Sequence, residues 1–505
     1  MIVHLGSEVA PYYKRGGLGD VLGALPRYLS EREPNIVISF YYEGRMHGLS
    51  QAPEGEIALL MQGIEYKFVY YYHDDGAVKY YFLNMSDGNV FSDLEPGEDS
   101  GRPKDGEMPY QQNASFFAYL YFGKAALQLL EDLQLDPGHL LFHDWHVCGC
   151  FAFGGKLSAL KERKRFSTIL MIHNYEHQGE IFPDVCDYLD EELTSQLMPV
   201  FSRYGMATML SLGLKHADHV ATVSATYARE LEEHRVPHPG LVFLELIKRK
   251  KVHALPNGID DRVWKMKPHL PEFFEDKCRE VVEMKRKARL KITGKYALHC
   301  TEAPLVVMLC RLTEQKGITL LMNFWDSEAV AMKKLEALLN SGIGLIVCGH
   351  PAGGLTGNVH RRFALAQQRF PGRFSYIPQY SDLLARELLA ASDAILCPSL
   401  FEPCGLVQLY AMAFGCIPIV RPVGGLRDTV KPYGENAGGS TGFYIGEFSY
   451  DSLLATVNEA VDVYKHKKDA WQKMVVHCLG EDHSWDKAKE RYFDFFGQIL
   501  HGEIS

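Results

Sequence analysis

The sequence predicts an α/β protein built as two parallel-sheet domains in series, and three observations carry that reading. Short apolar runs of strand length alternate with helical stretches along both halves of the chain, the pattern of parallel strands joined by covering helices. The alternation lapses once, over residues 265–295, where the composition turns charged and helical without a strand signal, and then it restarts. At 505 residues the chain also exceeds what one ordinary core holds. The domain boundary is therefore placed near residue 266. An N-terminal domain spans 1–266, a C-terminal domain 267–480, and an aromatic-rich amphipathic helix ends the chain within 481–505.

In chain order, residues 2–5 form an apolar strand. It is followed by Glu8, Pro11 and Lys14, then Gly16, Gly17, Leu18, Gly19 and Asp20, and an amphipathic helix running to residue 29. Glycines without Cβ let a backbone approach a phosphate or sugar, and the opening of a helix favours an anion. The same residues also suit a tight turn packing helix on strand. The loop is not G-x-G-x-x-G, and no acid follows at dinucleotide spacing, so a nicotinamide cofactor is not expected. Residues 36–42, 66–72 and 78–83 are strand-like, and the polar excursion 87–107 is expected to be a mobile surface loop.

A helix over 115–130 precedes another strand and the cluster His143, Asp144, Trp145, His146. Two histidines beside an acid suit a metal. Without a third ligand, the preferred reading is a polar strand end whose Trp145 ring stacks on a sugar. Strand 167–172 ends in His173 and Asn174. That histidine is either a satisfied structural residue or one of several polar strand ends gathered at a site. Strand 219–223 leads into Ser224 and a helix, and strand 252–255 into the turn Pro256, Asn257, Gly258, Ile259, Asp260.

The second half has strands at 305–309, 345–348, 374–377, 394–397 and 417–420. After the first come Arg311 and Lys316, two cations about one helical turn apart. Such a pair can clamp a diphosphate, the arginine through bidentate bonds and the lysine as a point charge, or simply open a solvated helix. Strand 394–397 runs into Pro398, Ser399, Leu400, Phe401, Glu402, Pro403, Cys404, Gly405 and Leu406, and then into a helix over 406–414. A strand ending in a polar turn that opens a helix is where open α/β sheets place ligands.

Composition narrows the function. Apolar content of 47% and charged content of 23% are those of a soluble globular protein. The net charge of -10 disfavours nucleic acid and anionic membrane as partners, and the basic run 248–251 reads as a solvated loop. Eleven scattered cysteines, mostly inside apolar runs, suit reduced core thiols rather than a disulfide framework. No apolar run reaches membrane-spanning length, and the chain starts directly on a strand. A cytoplasmic protein is expected.

With these pieces in order the sequence resembles the bacterial glycogen synthases and plant starch synthases, retaining glycosyltransferases of the GT-B fold. The resemblance is carried by Glu8, Pro11, Lys14 with Gly16, Gly17, Leu18, Gly19 and Asp20; by His143, Asp144, Trp145 and His146; and by His173 and Asn174. It continues through Ala217 and Asp218, Thr222 to Ser224, Asn257 to Asp260 with Trp264, Arg311 to Gly317, Phe401 to Leu406, Gly424 to Leu426 and Thr441 to Phe443. Tyr410 stands where many related GT-B enzymes carry a second glutamate, as it does in this family.

The resemblance implies two Rossmann-like domains facing a cleft, with the last helix crossing back to the N-terminal domain. It implies transfer of glucose from ADP-glucose or UDP-glucose, the former favoured, to the non-reducing end of an α-1,4-glucan with retention. No metal or cofactor is implied, because protein cations and helix N-termini stabilise the leaving diphosphate. Arg311 and Lys316 would meet that diphosphate, with Lys14, Gly16 and Gly17 completing the phosphate site. Glu402 would hold donor hydroxyls and oppose positive charge at the anomeric carbon, with Cys404, Gly405 and Leu406 lining the pocket. His173 and Asp144 would hold the donor sugar, Asn257 would lie near its hydroxyls, and Glu8, Asp20 and Trp145 would serve the acceptor. Retention is usually read as same-face attack by the acceptor 4-hydroxyl with a phosphate oxygen as base.

Several positions depart from the pattern: Phe116, Ser211, His350 with Pro351, Val407, and Pro422 with Val423. They bear on donor and acceptor preference more than on chemistry. Two rivals stand beside this reading, a catalytically weak paralogue serving as a glucan-binding or synthase-partner scaffold, and a GT-B transferase with another acceptor. Intact Lys14, Arg311, Lys316 and Glu402 oppose the first. Tyr410 and the Lys14 loop oppose the second. Oligomeric state is not legible.

Overall fold

The structure is a computed structural model that describes residues 1–49, 52–61, 63–86, 109–181, 183, 186, 191–265, 274–300, 302–352, 356–434 and 439–504. The excursion 87–107 and the boundary near residue 266 lie outside the described residues. Contacts divide the chain into two compact units, one comprising Met1–Gly258 with Trp485–Ser505 and the other Ile259–Ser484.

In the first unit the strands are β1 (Ile2–Gly6), β2 (Asn35–Phe40), β3 (Gly55–Met61), β4 (Ile64–Asp74), β5 (Val78–Met85), β6 (His139–His143), β7 (Ser167–Ile172), β8 (Glu180–Ile181), β9 (Ala207–Thr208), β10 (His219–Thr222) and β11 (Val252–Ala254). All but β8 and β9 form one nine-stranded sheet in the order β11-β10-β7-β6-β1-β2-β5-β4-β3. It is parallel except at β3–β4 and β4–β5, which are antiparallel. Strand β3 has no counterpart in the sequence reading. Its buried Ile57 and Leu59 alternate with Ala58 and Leu60, apolar residues that are exposed, so the period-two signal is hidden.

The final helix, Trp485–Leu500, is an element of this first unit. Its Trp485, Tyr492, Phe495 and Phe496 are buried among Val21, Leu25 and Leu29 of the helix Gly17–Leu29 and Leu141, Ile169 and Met171 of the sheet. Aromatic residues at i, i+7, i+10 and i+11, with Ala488 at i+3, give the helix one broad apolar face, and that face fills the core.

The second unit holds β12 (Leu305–Leu309), β13 (Gly344–Cys348), β14 (Phe374–Ile377), β15 (Ala394–Cys397), β16 (Ile417–Val420) and β17 (Phe443–Tyr444). They form one parallel sheet in the order β14-β13-β12-β15-β16-β17. The strands are continuous apolar runs because helices cover both faces. Edge strand β14 is closed to further pairing. The Phe374 N–H donates to the Phe370 carbonyl, the Tyr376 N–H to Gln367 Oε1, and Pro378 has no N–H to offer.

Two half-buried cations fasten the helix Phe274–Lys295 to this unit. Lys285 Nζ donates to the carbonyls of Leu389, Ser392 and Phe414, at the ends of the helices Asp382–Ala391 and Val407–Ala413. Arg289 pairs with Asp393 at 2.5 Å. Among the described residues no helix is long and apolar enough to cross a membrane.

Candidate active site

In the second unit the loop from Pro398 to Leu406 joins β15 to the helix Val407–Ala413 and is held from three sides. The Leu400 N–H donates to the Gln315 carbonyl, and Gln315 Nε2 donates to the Phe401 carbonyl. Arg421 Nη1 donates to the carbonyls of Ser399 and Leu400. The Gly425 N–H donates to the Glu402 carbonyl. That last contact requires glycine. A Cβ on Gly424, whose φ is +45°, would lie 1.9 Å from the Glu402 carbonyl oxygen, and one on Gly425 would lie 2.0 Å from that of Cys404.

Held this way, the Glu402 side chain is buried and faces Lys316. Lys316 Nζ donates to both carboxylate oxygens, at 2.8 and 2.6 Å, and Ser399 Oγ donates to Oε2 at 2.9 Å. Lys316 reaches this point because Gly317 takes a left-handed turn, φ +76°, against the Pro398 carbonyl. A carboxylate with three charge-assisted or hydroxyl donors is strongly localised. Arg311 follows β12 with an exposed side chain. Its loop is pinned to the segment after β13, since the Leu312 N–H donates to the His350 carbonyl at 2.8 Å. Cys404, Gly405 and Leu406 are half-buried and lead into the helix.

The first unit builds its polar cluster differently. Glu8 is buried, and its Oε2 accepts from the backbone N–H groups of Arg15 and Gly16, at 2.5 and 2.8 Å. The carboxylate therefore shapes the glycine turn that opens the helix Gly17–Leu29. Lys14 pairs with Asp20 at 2.7 Å, each about a quarter exposed. Asp144 Oδ1 likewise accepts from backbone, the N–H groups of His173 and Asn174, at 2.6 and 3.2 Å. Burial pushes the Asp144 carboxyl up to about 7 against the pull of those two donors.

His173 is half-buried and its ring meets the buried His143, with His143 Nδ1 to His173 Nε2 at 2.9 Å. Burial pushes His173 down to about 4 and His143 further. Trp145 is packed by protein. His146 stacks on it at 4.0 Å, Tyr119 meets it edge-on, and a Cβ on Gly179 would lie 2.3 Å from its ring. Asn257 is buried with Oδ1 lacking a hydrogen-bond partner among the described residues, a polar atom suited to meet a ligand hydroxyl.

Of the residues singled out in the sequence, Lys316, Glu402, Cys404, Gly405 and Leu406 are gathered in the second unit, along with the exposed Arg311. Glu8, Lys14, Gly16, Gly17 and Asp20 form one cluster of the first unit, and Asp144 and His173 another. Sequence reasoning missed Gln315 and Arg421 as struts of the Glu402 loop and Asn35 and His4 behind His143. Only His4 left a signal, a histidine inside an apolar strand. Tyr410 is buried and stacks on Trp264 at 3.7 Å. Ser211 closes a reciprocal cap with Thr208 at the start of the helix Met209–His216. Phe116 is buried in core.

Comparison with known proteins supplies the family. Residues 1–242 match the starch synthase catalytic domain, and residues 297–473 match the glycosyl transferases group 1. The glycogen synthase of Streptococcus gordonii is 31% identical, covering 99% of this chain and 100% of that protein. The glycogen synthase of Anaeromyxobacter dehalogenans is 32% identical, covering 97% and 98%. The catalytic domain of starch synthase IV from Arabidopsis thaliana, solved bound to ADP and acarbose, shares the fold with a TM-score of 0.81 at 24% identity, covering 98% of each chain.

Proposed function

This chain belongs to the glycogen and starch synthase family of nucleotide-sugar glycosyltransferases, and from that premise we propose that it transfers glucose from ADP-glucose to the non-reducing end of an α-1,4-glucan with retention. The observation that carries the assignment of residues is the Lys316–Glu402 contact, an ammonium touching both oxygens of a buried carboxylate. A pair whose carboxylate is buried and whose ammonium is largely withdrawn from solvent is costly to desolvate and is more readily understood as chemistry than as stabilisation.

When a diphosphate arrives, Lys316 exchanges part of its contact with Glu402 for phosphate oxygens, and Arg311 adds a bidentate grip. Glu402 is then left partly unneutralised beside the donor glucose, where its charge opposes the positive charge developing at the anomeric carbon. Stabilisation of both charges by fixed groups lowers the barrier without reorganisation during the step. The acceptor 4-hydroxyl attacks the face the diphosphate leaves, and a phosphate oxygen takes its proton. In the first unit Lys14 with Gly16 and Gly17 is the candidate phosphate contact, and His173 and Asn257 are the candidate contacts for donor hydroxyls. Glu8 and Asp144 act through the loops they bind, Asp20 through Lys14, and the acceptor side falls to the surface near Trp145.

Adenine as the base is supported by the ADP held by the Arabidopsis relative. A cytoplasmic setting is supported by the free thiols of the described cysteines, most of them buried. The test is release of nucleoside diphosphate from ADP-glucose and from UDP-glucose, with and without glycogen. Glycogen-dependent release, faster from ADP-glucose, is the expected result. Faster release from UDP-glucose overturns the donor assignment, and release from neither overturns the activity.

A further inference from the structure

Behind His173 runs a row of polar side chains that crosses four adjacent strands. Asn35 opens β2, His4 lies in β1, His143 ends β6 and His173 follows β7. In the sheet register Val37 pairs with His4, His4 with Leu141, and His143 with Met171. Each member thus stands two residues further along than the direct partner of the one before it. Steps of two preserve the face of a strand, so the four side chains can meet in line. They do. His4 Nε2 lies 2.9 Å from Asn35 Oδ1, His4 Nδ1 lies 3.1 Å from His143 Nε2, and His143 Nδ1 lies 2.9 Å from His173 Nε2.

The direction of this row is set at one end. Asn35 Nδ2 donates to the Glu33 carbonyl at 2.6 Å, which turns Oδ1, an acceptor only, toward His4. His4 must therefore carry its proton on Nε2. A neutral imidazole then has a bare Nδ1, which accepts from His143 Nε2–H. His143 in turn has a bare Nδ1, which accepts from His173 Nε2–H. His173 is left with its own Nδ1 bare. Neutrality along the row follows from burial, which pushes His4 and His173 down to about 4 and His143 well below the ordinary histidine range. An ordinary packing role would need only apolar side chains at position 4, inside a strand otherwise built of Ile2, Val3 and Leu5.

We propose that Asn35, His4 and His143 are positioning residues that hold His173 in the tautomer with a bare Nδ1, an acceptor for a hydroxyl of the donor sugar. This rests on the reading of His173 as a donor-sugar contact. The row adds specificity as well as orientation, because a bare ring nitrogen accepts from a hydroxyl and cannot donate to a phosphate or a carboxylate.

The test pairs nitrogen NMR of histidine-labelled protein with kinetics in full-length chains. His173→Gln identifies the His173 signals by their loss. In the parent, His173 Nδ1 should show the shift of an unprotonated ring nitrogen and Nε2 that of a protonated one. His4→Phe keeps the bulk but removes donor and acceptor together. It should lose the single tautomer at His173 and lower kcat by about ten- to a hundredfold, the size outer partners carry for liganding histidines, with the KM for glycogen unchanged. His4→Gln, which keeps a donor toward Asn35 and an acceptor toward His143, should restore most of both. Asn35→Leu is the second variant, for the case in which His4→Phe does not fold, and should behave like it.

A His173 tautomer unchanged in His4→Phe, or in Asn35→Leu in its place, would overturn the inference. So would parental turnover in that variant, or equal losses in His4→Phe and His4→Gln. Parental kinetics in His173→Gln would instead sink the underlying reading of His173, whatever the NMR shows.

Discussion

Glu8 and Asp144 in the first unit give their lone pairs to backbone N–H groups, whereas Glu402 in the second faces an ammonium. All three carboxylates are buried. The difference lies in what each can do once a substrate is present. A carboxylate bound to two consecutive loop amides is committed, because releasing it would orphan buried donors at a cost of about 1–3 kcal/mol each. A carboxylate bound to a flexible lysine can exchange that partner for another cation, or lose it to a phosphate. The first arrangement shapes loops, and the second stores a charge that a ligand can redistribute.

Substitutions should separate the two arrangements. Glu402→Ala is expected to lower kcat by about a thousandfold or more while the protein stays folded, since it removes a group aimed at charge that develops only in the transition state. Steady-state kinetics with ADP-glucose and glycogen reads this directly, with circular dichroism as the control for folding. Lys316→Ala should cost about a hundredfold, and it should also weaken inhibition by free ADP, which Glu402→Ala should not.

Asp144→Asn keeps one acceptor oxygen for the His173 and Asn174 amides, so its kinetic loss should stay near tenfold. Its stability carries a pH signature. The Asp144 carboxyl is pushed up to about 7 in the fold, above the ordinary value of 3.8. The folded state therefore binds more protons than the unfolded state between these values. Its contribution to stability is full below about 4 and is lost as pH rises through about 7. Relative to the parent, Asp144→Asn should gain stability across that window by up to about 1.4 kcal/mol per pH unit, measurable by urea unfolding at several pH values. Ser211→Ala removes one half of a helix cap remote from any of the three carboxylates. It should cost about 1 kcal/mol in unfolding free energy and leave turnover unchanged.

Much of this arrangement was legible in the sequence because the relevant signals are local. Alternating apolar runs and helices read out the parallel strands of both sheets, though not β3 or the antiparallel pairing of β4 at the edge of the first, and the Glu402 loop and the Lys316 turn lie directly after strands. The aromatic spacing from Trp485 to Phe496 marked a helix with one face to bury, and that face fills the first unit's core. What stayed hidden depends on partners far apart in the chain. Nothing around Glu8 or Asp144 tells a carboxylate that binds backbone from one that meets a substrate, because the amides involved are supplied by folding. Trp145 read as a stacking platform, yet His146 and the close approach of Gly179 pack it within the protein. Ser211 read as a departure from a family pattern and is a helix cap. Gly424 and Gly425 were visible as a motif, but their reason, the carbonyls of Glu402 and Cys404 lying where a Cβ would go, required the fold.

The most direct test compares Glu402→Ala with Asp144→Asn in one assay, glycogen-dependent ADP release from ADP-glucose at saturating substrate. The two arrangements predict a loss of about a thousandfold for Glu402→Ala and about tenfold for Asp144→Asn, both proteins folded. Turnover of Glu402→Ala within about tenfold of the parent, or a larger loss in Asp144→Asn than in Glu402→Ala, would contradict the division between a reactive and a shaping carboxylate.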